Sequence, residues 1–207
     1  MSANGHLITT IAELEALYGT PSGPAVAKEV ERLTNGYRAM IEAAPFAVIA
    51  TVGPEGLDCS PKGDPAGFIR VIDDTTLAIP DRPGNNRLDG MRNVLRDPRI
   101  SVLFLIPGVG ETLRVIGRAS ISVDPELMAG FTVNGKLPRS VMIVKIERVF
   151  FHCSKAIVRS KLWDEATRIA RTQLPSTGTI IAEVSGGKLG GADYDRAAPE
   201  RIQKMLY

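Results

Sequence analysis

The residues best suited to chemistry lie in one stretch, Ile79-Pro-Asp-Arg-Pro-Gly-Asn-Asn-Arg-Leu-Asp-Gly-Met-Arg-Asn-Val-Leu-Arg-Asp-Pro-Arg99. An apolar run (Leu77, Ala78, Ile79) reads as a strand that stops at Pro80, and a loop of Gly, Pro and Asn follows. A short helix then opens at Asn85 or Asn86 and carries Leu88, Met91 and Leu95 on one face. Asn is a good N-cap, and with Asn86 as the cap Asp89 sits three residues inside. The start of such a helix offers unpaired backbone N–H groups and a positive dipole end, here flanked by Arg82 and Arg87, which suits a phosphate. Both arginines can give bidentate bonds to phosphate oxygens. Capping by Asn85 and Asn86 is compatible with that role, because a cap and an anion use the same orphan donors.

A second set lies upstream in Ser60-Pro-Lys-Gly-Asp64. Gly63 permits close backbone approach, and the Lys62 ammonium can meet a phosphate or a polar ring edge; the plain alternative is an exposed lysine in a turn. Asp81 reads as an orienter of an arginine or of the loop, and Asp64 as a ligand or loop contact. His152-Cys153-Ser154 resembles a nucleophile arrangement, but neighbours on a strand face opposite ways, so His152 is badly placed to activate Cys153. His6 is the only other histidine, which argues against zinc.

The elements that must position these residues follow from periodicity. Thr10-Ile-Ala-Glu13 has the form of a capping box, with a helix from there to Gly19. A second helix is expected from Pro24 to Pro45, with Val26, Val30, Leu33, Tyr37 and Ile41 on one face. Strands are expected over 46–52, 57–60, 68–72, 75–79, 100–106, 112–123 and 140–153, with turn signals such as Gly53-Pro54-Glu55-Gly56 between them. The strand from Thr112 alternates Leu113, Val115, Ala119 and Ile121 against Arg114, Arg118 and Ser122, which makes one face core and the other wet or ligand-facing. Residues 124–137 read as helix and loop, 160–171 as a helix, and 175–207 as a mobile tail with a short terminal helix. Many short strands with one short internal helix argue for an antiparallel barrel, and neither a GxGxxG after a strand nor a Walker loop occurs.

Composition sets the outer bounds. The chain has 207 residues, 44% hydrophobic and 23% charged, enough for one domain with a full core and terminal extensions. A net charge of +2 and only 5% aromatic residues disfavour a nucleic-acid partner. The two cysteines, Cys59 and Cys153, fit a reduced compartment. No apolar run reaches the ~18 residues of a membrane span, and a signal-like start is missing, so the expectation is a cytoplasmic protein with no membrane partner.

Four segments resemble one known family: Ala50–Asp64, Ile79–Phe104, Gly108–Arg118 and Cys153–Trp163. Their order and spacing are similar to the FMN-binding split β-barrel of the pyridoxamine 5′-phosphate oxidase-like family, in its uncharacterised bacterial branch. The resemblance implies a mainly β fold, an antiparallel split barrel over 46–172 with an N-terminal helical extension (1–45) and a C-terminal tail packing on the barrel (173–207). It also implies a homodimer with FMN at the subunit interface and a small-molecule substrate. Carried onto this chain, the cofactor-binding residues are Ser60, Lys62, Gly63, Asp64, Arg82, Asn85, Asn86 and Arg87, with Arg70 and Arg92 as further candidates. Arg114, Lys155, Arg159 and Trp163 are implied on the flavin or substrate side, from the same or the other subunit. The oxidase's Arg-x-Val-Leu-Leu-Lys strand and Ser-Arg-Lys helix start read here as Arg70-Val-Ile-Asp-Asp and Asn85-Asn86-Arg87, and its C-terminal substrate motif is not recognisable. The implication is therefore a probable-oxidoreductase class of flavoprotein without a named reaction or catalytic residue. The alternatives are a barrel for F420 or haem, or a non-enzymatic FMN-binding or storage protein.

Overall fold

A computed structural model describes residues 6–207. In chain order its elements are α1 (Ile11–Tyr18), α2 (Gly23–Ala27), α3 (Asn35–Ala43), β1 (Phe46–Gly53), β2 (Gly56–Gly63), β3 (Arg70–Asp73), β4 (Thr76–Asp81), α4 (Asp89–Arg96), β5 (Arg99–Leu105), β6 (Thr112–Ser122), α5 (Pro125–Ala129), β7 (Ser140–His152), α6 (Lys155–Ser160), α7 (Thr177–Val184), α8 (Gly191–Arg196) and α9 (Ala198–Met205). The seven strands form one sheet in the order β2-β1-β5-β6-β7-β4-β3, with every pairing antiparallel. The expected mainly β architecture is the one observed. Among the described residues, no helix is long and apolar enough to cross a membrane.

Alternation decides what each strand buries. Ala47, Ile49 and Thr51 of β1 point inward, as do Ile100, Val102 and Phe104 of β5 and Leu113 and Val115 of β6. With Leu77, Ile79, Val144 and Val149 from β4 and β7, and with Ile41 and Ala44, the apolar ones make one core. The long β6–β7 ladder changes register between Ile116 and Gly117. A Cβ at Gly117 would lie 2.0 Å from the Lys145 carbonyl oxygen, so the bulge admits only glycine. The outer face carries a lateral row Pro61–Val48–Leu103–Arg114–Phe150, set by the registers of five strands.

Three local expectations change. The expected second helix splits into α2 and α3, because Val30 leaves the helical path to pair its backbone with Val149. Thr34 restarts it, its side chain accepting a bond from the Tyr37 N–H at 3.2 Å. In place of one helix over 160–171, α6 ends at Ser160 and two single 3₁₀ turns follow, over Glu165–Thr167 and Arg171–Gln173. Residues 177–207 hold three helices where one was expected. The Asp195 carboxylate ties two of them together by accepting from the Ser176 hydroxyl and the Gly178 N–H, and these bonds keep its pKa below the usual aspartate value.

Candidate functional site

The open side of the barrel lies between β2, at one edge of the sheet, and β4, one strand in from the other. Side chains span that seam. Lys62 Nζ meets Asp81 Oδ1 at 2.7 Å, and Arg82 Nε meets Asp64 Oδ2 at 2.9 Å. Beside them runs a cleft of about 640 Å³. Ser60 and Lys62 of β2 form one wall; the 84–89 loop and the first turn of α4 form the roof. Ile49, Met91 and Met142 supply an apolar floor.

The roof differs from the expected helix start. Helix α4 begins at Asp89, with Leu88 as a cap that makes no side-chain bond. Asn85 instead accepts the Arg87 N–H at 3.0 Å and turns the loop on itself. Asn86 takes a left-handed conformation (φ 59°), one of the few side chains that tolerates it. The asparagines therefore shape a loop ahead of the helix and do not cap it. The helix buries Asn93 and Val94, leaving Leu95 exposed and Leu88 and Met91 over the cleft. Gly90 lets its first turn approach β2, since a Cβ there would come 2.7 Å from Asp58 Oδ2.

The charges are mostly matched. Arg87 bonds to Asp89 through Nε, and that bond, with the adjacent negative charge, raises the arginine's pKa further. Arg82 is already engaged: besides Asp64 it donates to the Phe131 carbonyl at 2.7 Å and lies over the Tyr207 ring, 5.5 Å from its centre. Asp64, 3% exposed in its side chain, also accepts the Tyr207 hydroxyl at 2.6 Å, which pushes that phenol's pKa up. Asp64 is thus a partner of arginine and tyrosine, and Asp81 orients a lysine where an arginine was expected.

Of the twelve residues singled out, the structure brings Ser60, Lys62, Arg82, Asn85, Asn86 and Arg87 to the cleft. Gly63 ends β2 and Asp64 follows it, neither lining the cleft, and Asp64 lines a smaller hollow with Arg70, Arg82 and Phe131. Arg70 is stacked on Phe131, 4.5 Å from the ring centre, and donates to the Gly130 carbonyl. Arg92 does not line the cleft. Arg114, Lys155, Arg159 and Trp163 are elsewhere in the chain. Arg114 lies over Phe150 on the outer face of the sheet at 5.5 Å, Lys155 and Arg159 are on α6, and the Trp163 indole donates to the Val109 carbonyl at 2.8 Å.

Sequence reasoning missed Asp58 and Arg139, both on the cleft. Asp58 could have been found as the neighbour of Ser60 and Lys62 at strand spacing. Arg139 had no local signal, because the residue it touches, Asn86, is far away in sequence. Among the described residues no group of three or more metal-ligating side chains occurs.

Residues 33–153, well over half of the chain, match the protein family described as Pyridoxamine 5′-phosphate oxidase. The chain belongs to the pyridoxamine 5′-phosphate oxidase family. That family is a flavin-binding one, and its matched region runs from two residues before α3 to just past the end of β7. No curated protein matches the chain. Among solved structures, HupZ of Group A Streptococcus is 21% identical over 59% of this chain and 95% of that one, with a TM-score of 0.49. General Stress Protein 26 of Bacillus anthracis is 18% identical over 55% of this chain and 88% of that one (TM-score 0.42). An FMN-binding protein of Syntrophomonas wolfei is 15% identical over 55% of this chain and 82% of that one (TM-score 0.43).

Proposed function

We propose that this pyridoxamine 5′-phosphate oxidase family member binds FMN in the seam cleft, without covalent attachment, and uses it in an oxidoreductase reaction on a small molecule. The observation that carries the reading is the convergence of Lys62, Ser60 and the Asn85–Arg87 loop above the apolar floor of Ile49, Met91 and Met142. A volume of about 640 Å³ suits a ligand of that size, and the lining offers what its two halves need. Cations and loop donors suit the phosphate, and the methionine and isoleucine side chains suit a planar ring.

When bound, FMN supplies the hydride and electron chemistry. The chain's own contribution is position and charge. The 85–87 loop holds the phosphate, with Arg87 exchanging its Asp89 partner for phosphate oxygens. Lys62, kept extended by Asp81, holds a positive group at the wall of the cleft. The apolar floor excludes water from the ring.

The assembly that fits is a homodimer through the outer sheet face, where Val48, Leu103 and Phe150 are only half buried and Phe46 is exposed. Arg114, Lys155, Arg159 and Trp163 reach a flavin only across such an interface. A cytoplasmic location suits the two free cysteines.

The test is an absorption spectrum of the purified protein with mass identification of whatever mild denaturation releases. Bands near ~375 and ~450 nm, with FMN released at about one per chain, are expected of a flavoprotein. A colourless protein that refuses added FMN would overturn the reading, and a deazaflavin or haem spectrum would replace it with another cofactor.

A further inference from the structure

Among the described residues, one cation that lines the cleft is without an ion pair. Three others are neutralised: Lys62 by Asp81, Arg82 by Asp64 and Arg87 by Asp89. The remaining carboxylate of the lining, Asp58, acts on Arg87. Arg139 forms no ion pair among the described residues. Its guanidinium donates to a neutral acceptor, Asn86 Oδ1, across the mouth of the cleft. Its backbone is fixed, because its N–H donates to the Asp81 carbonyl at 3.0 Å and the preceding Pro138 is fully buried.

A guanidinium has five N–H donors, and one bond to Asn86 leaves the others for a ligand. The charge balance then favours Arg139 over its neighbours as an anion contact. A phosphate that meets Arg87 shares its charge with Asp89, and one that meets Arg82 shares it with the buried Asp64 carboxylate. A phosphate that meets Arg139 displaces no carboxylate and gains a charge-assisted bond.

We propose that Arg139 is the specificity-determining cation of the cleft, the residue by which it prefers a phosphorylated ligand to the same ligand without its phosphate. It takes the second-cation role that the sequence pattern assigns to Arg82. The proposal rests on the flavin reading of the cleft and deepens it, since FMN and riboflavin differ by that phosphate alone.

The experiment titrates apo-protein with FMN and with riboflavin, read by quenching of flavin fluorescence, for the wild type, Arg139→Gln and Arg139→Lys. Arg139→Gln should weaken FMN about tenfold or more, the loss of a hydrogen bond to a charged group, and change riboflavin by no more than about twofold. Arg139→Lys should recover much of the FMN preference, because it keeps the charge. Equal losses for both flavins would overturn the proposal by making Arg139 only a support for the Asn86 loop; an unchanged FMN-to-riboflavin ratio would overturn it as well. A wild type that takes up neither flavin removes the proposed function, and inorganic phosphate then decides on Arg139 alone. Thermal stabilisation by phosphate in the wild type but not in Arg139→Gln supports the assignment, and the same response in both proteins, or none in either, refutes it.

Discussion

Lys62 and Asp81 meet at 2.7 Å across a gap that no backbone ladder crosses, joining β2 at one edge of the sheet to β4 near the other. Arg82 and Asp64 repeat the arrangement just past the ends of the same two strands, at 2.9 Å. The barrel is therefore closed at its seam by two ion pairs, and the cleft lies along them. The same charges that are proposed to position a ligand also hold the fold shut.

The two arginines of the motif should separate in their effects. Arg82→Met leaves the Asp64 carboxylate, 3% exposed, with the Tyr207 hydroxyl but no cation, and breaking such a pair costs about 3 kcal/mol. Urea denaturation should show that loss. Arg87→Ala removes an exposed side chain and should leave the urea midpoint unchanged while weakening FMN about tenfold. A midpoint that falls as far for Arg87→Ala as for Arg82→Met would contradict this division.

Gly117→Ala should be among the most damaging single-methyl additions in the barrel. The new Cβ would meet the Lys145 carbonyl at 2.0 Å, a backbone atom that cannot swing aside without distorting the β6–β7 ladder. A loss of more than about 2 kcal/mol is expected by chemical denaturation. A change of a few tenths would mean that the bulge tolerates a side chain.

Acid should weaken the protein through His152. Its Nε2 is buried without a hydrogen-bond partner among the described residues, and burial, then the charges of Arg114 and Lys28, hold its pKa below 6.5. Phe150 packs beside it at 5.2 Å and offers no counter-charge. Below pH 6.5 the unfolded chain takes up a proton that the native imidazole resists, so stability falls from there down to the native pKa and no further. The melting temperature of the wild type should drop more between about pH 7 and pH 5 than that of His152→Gln, which lacks the titrating group. Parallel curves would remove His152 as the cause.

Leu103→Asp tests the outer sheet face. Leu103 stands between Val48 and Arg114 in the lateral row, and a carboxylate there would be desolvated by a second copy of the chain. Light scattering after gel filtration should find a dimer in the wild type and a monomer in the variant. A monomeric wild type would refute the interface.

Much of this fold is legible from periodicity because the strands obey it. The reading of Phe46 to Val52 as a strand differs from β1 by one residue, since Ala47, Ile49 and Thr51 alternate with less buried neighbours. The candidate site is legible by composition more than by orientation. Arg82 points to Asp64, and nothing within the 79–87 stretch reveals a carboxylate that arrives only when the seam closes. Asn86 looks like a cap, yet Asn85 captures the Arg87 N–H first and delays the helix to Asp89. Arg139 is invisible for the same reason as the Arg82 pairing: its contact with Asn86 belongs to the closed barrel and has no counterpart in local sequence.

The closure by side chains has a consequence for how the molecule breathes. Strand β6 is held by backbone bonds on both sides, to β5 and to β7, whereas β2 has a ladder only to β1. Amide hydrogens along Gly56–Gly63 should therefore exchange with deuterium well before those of Leu113 and Val115, through local openings that leave the rest of the sheet intact. A ligand lodged in the seam acts as a keystone: it slows exchange along β2 first, and its own escape is timed by the same opening.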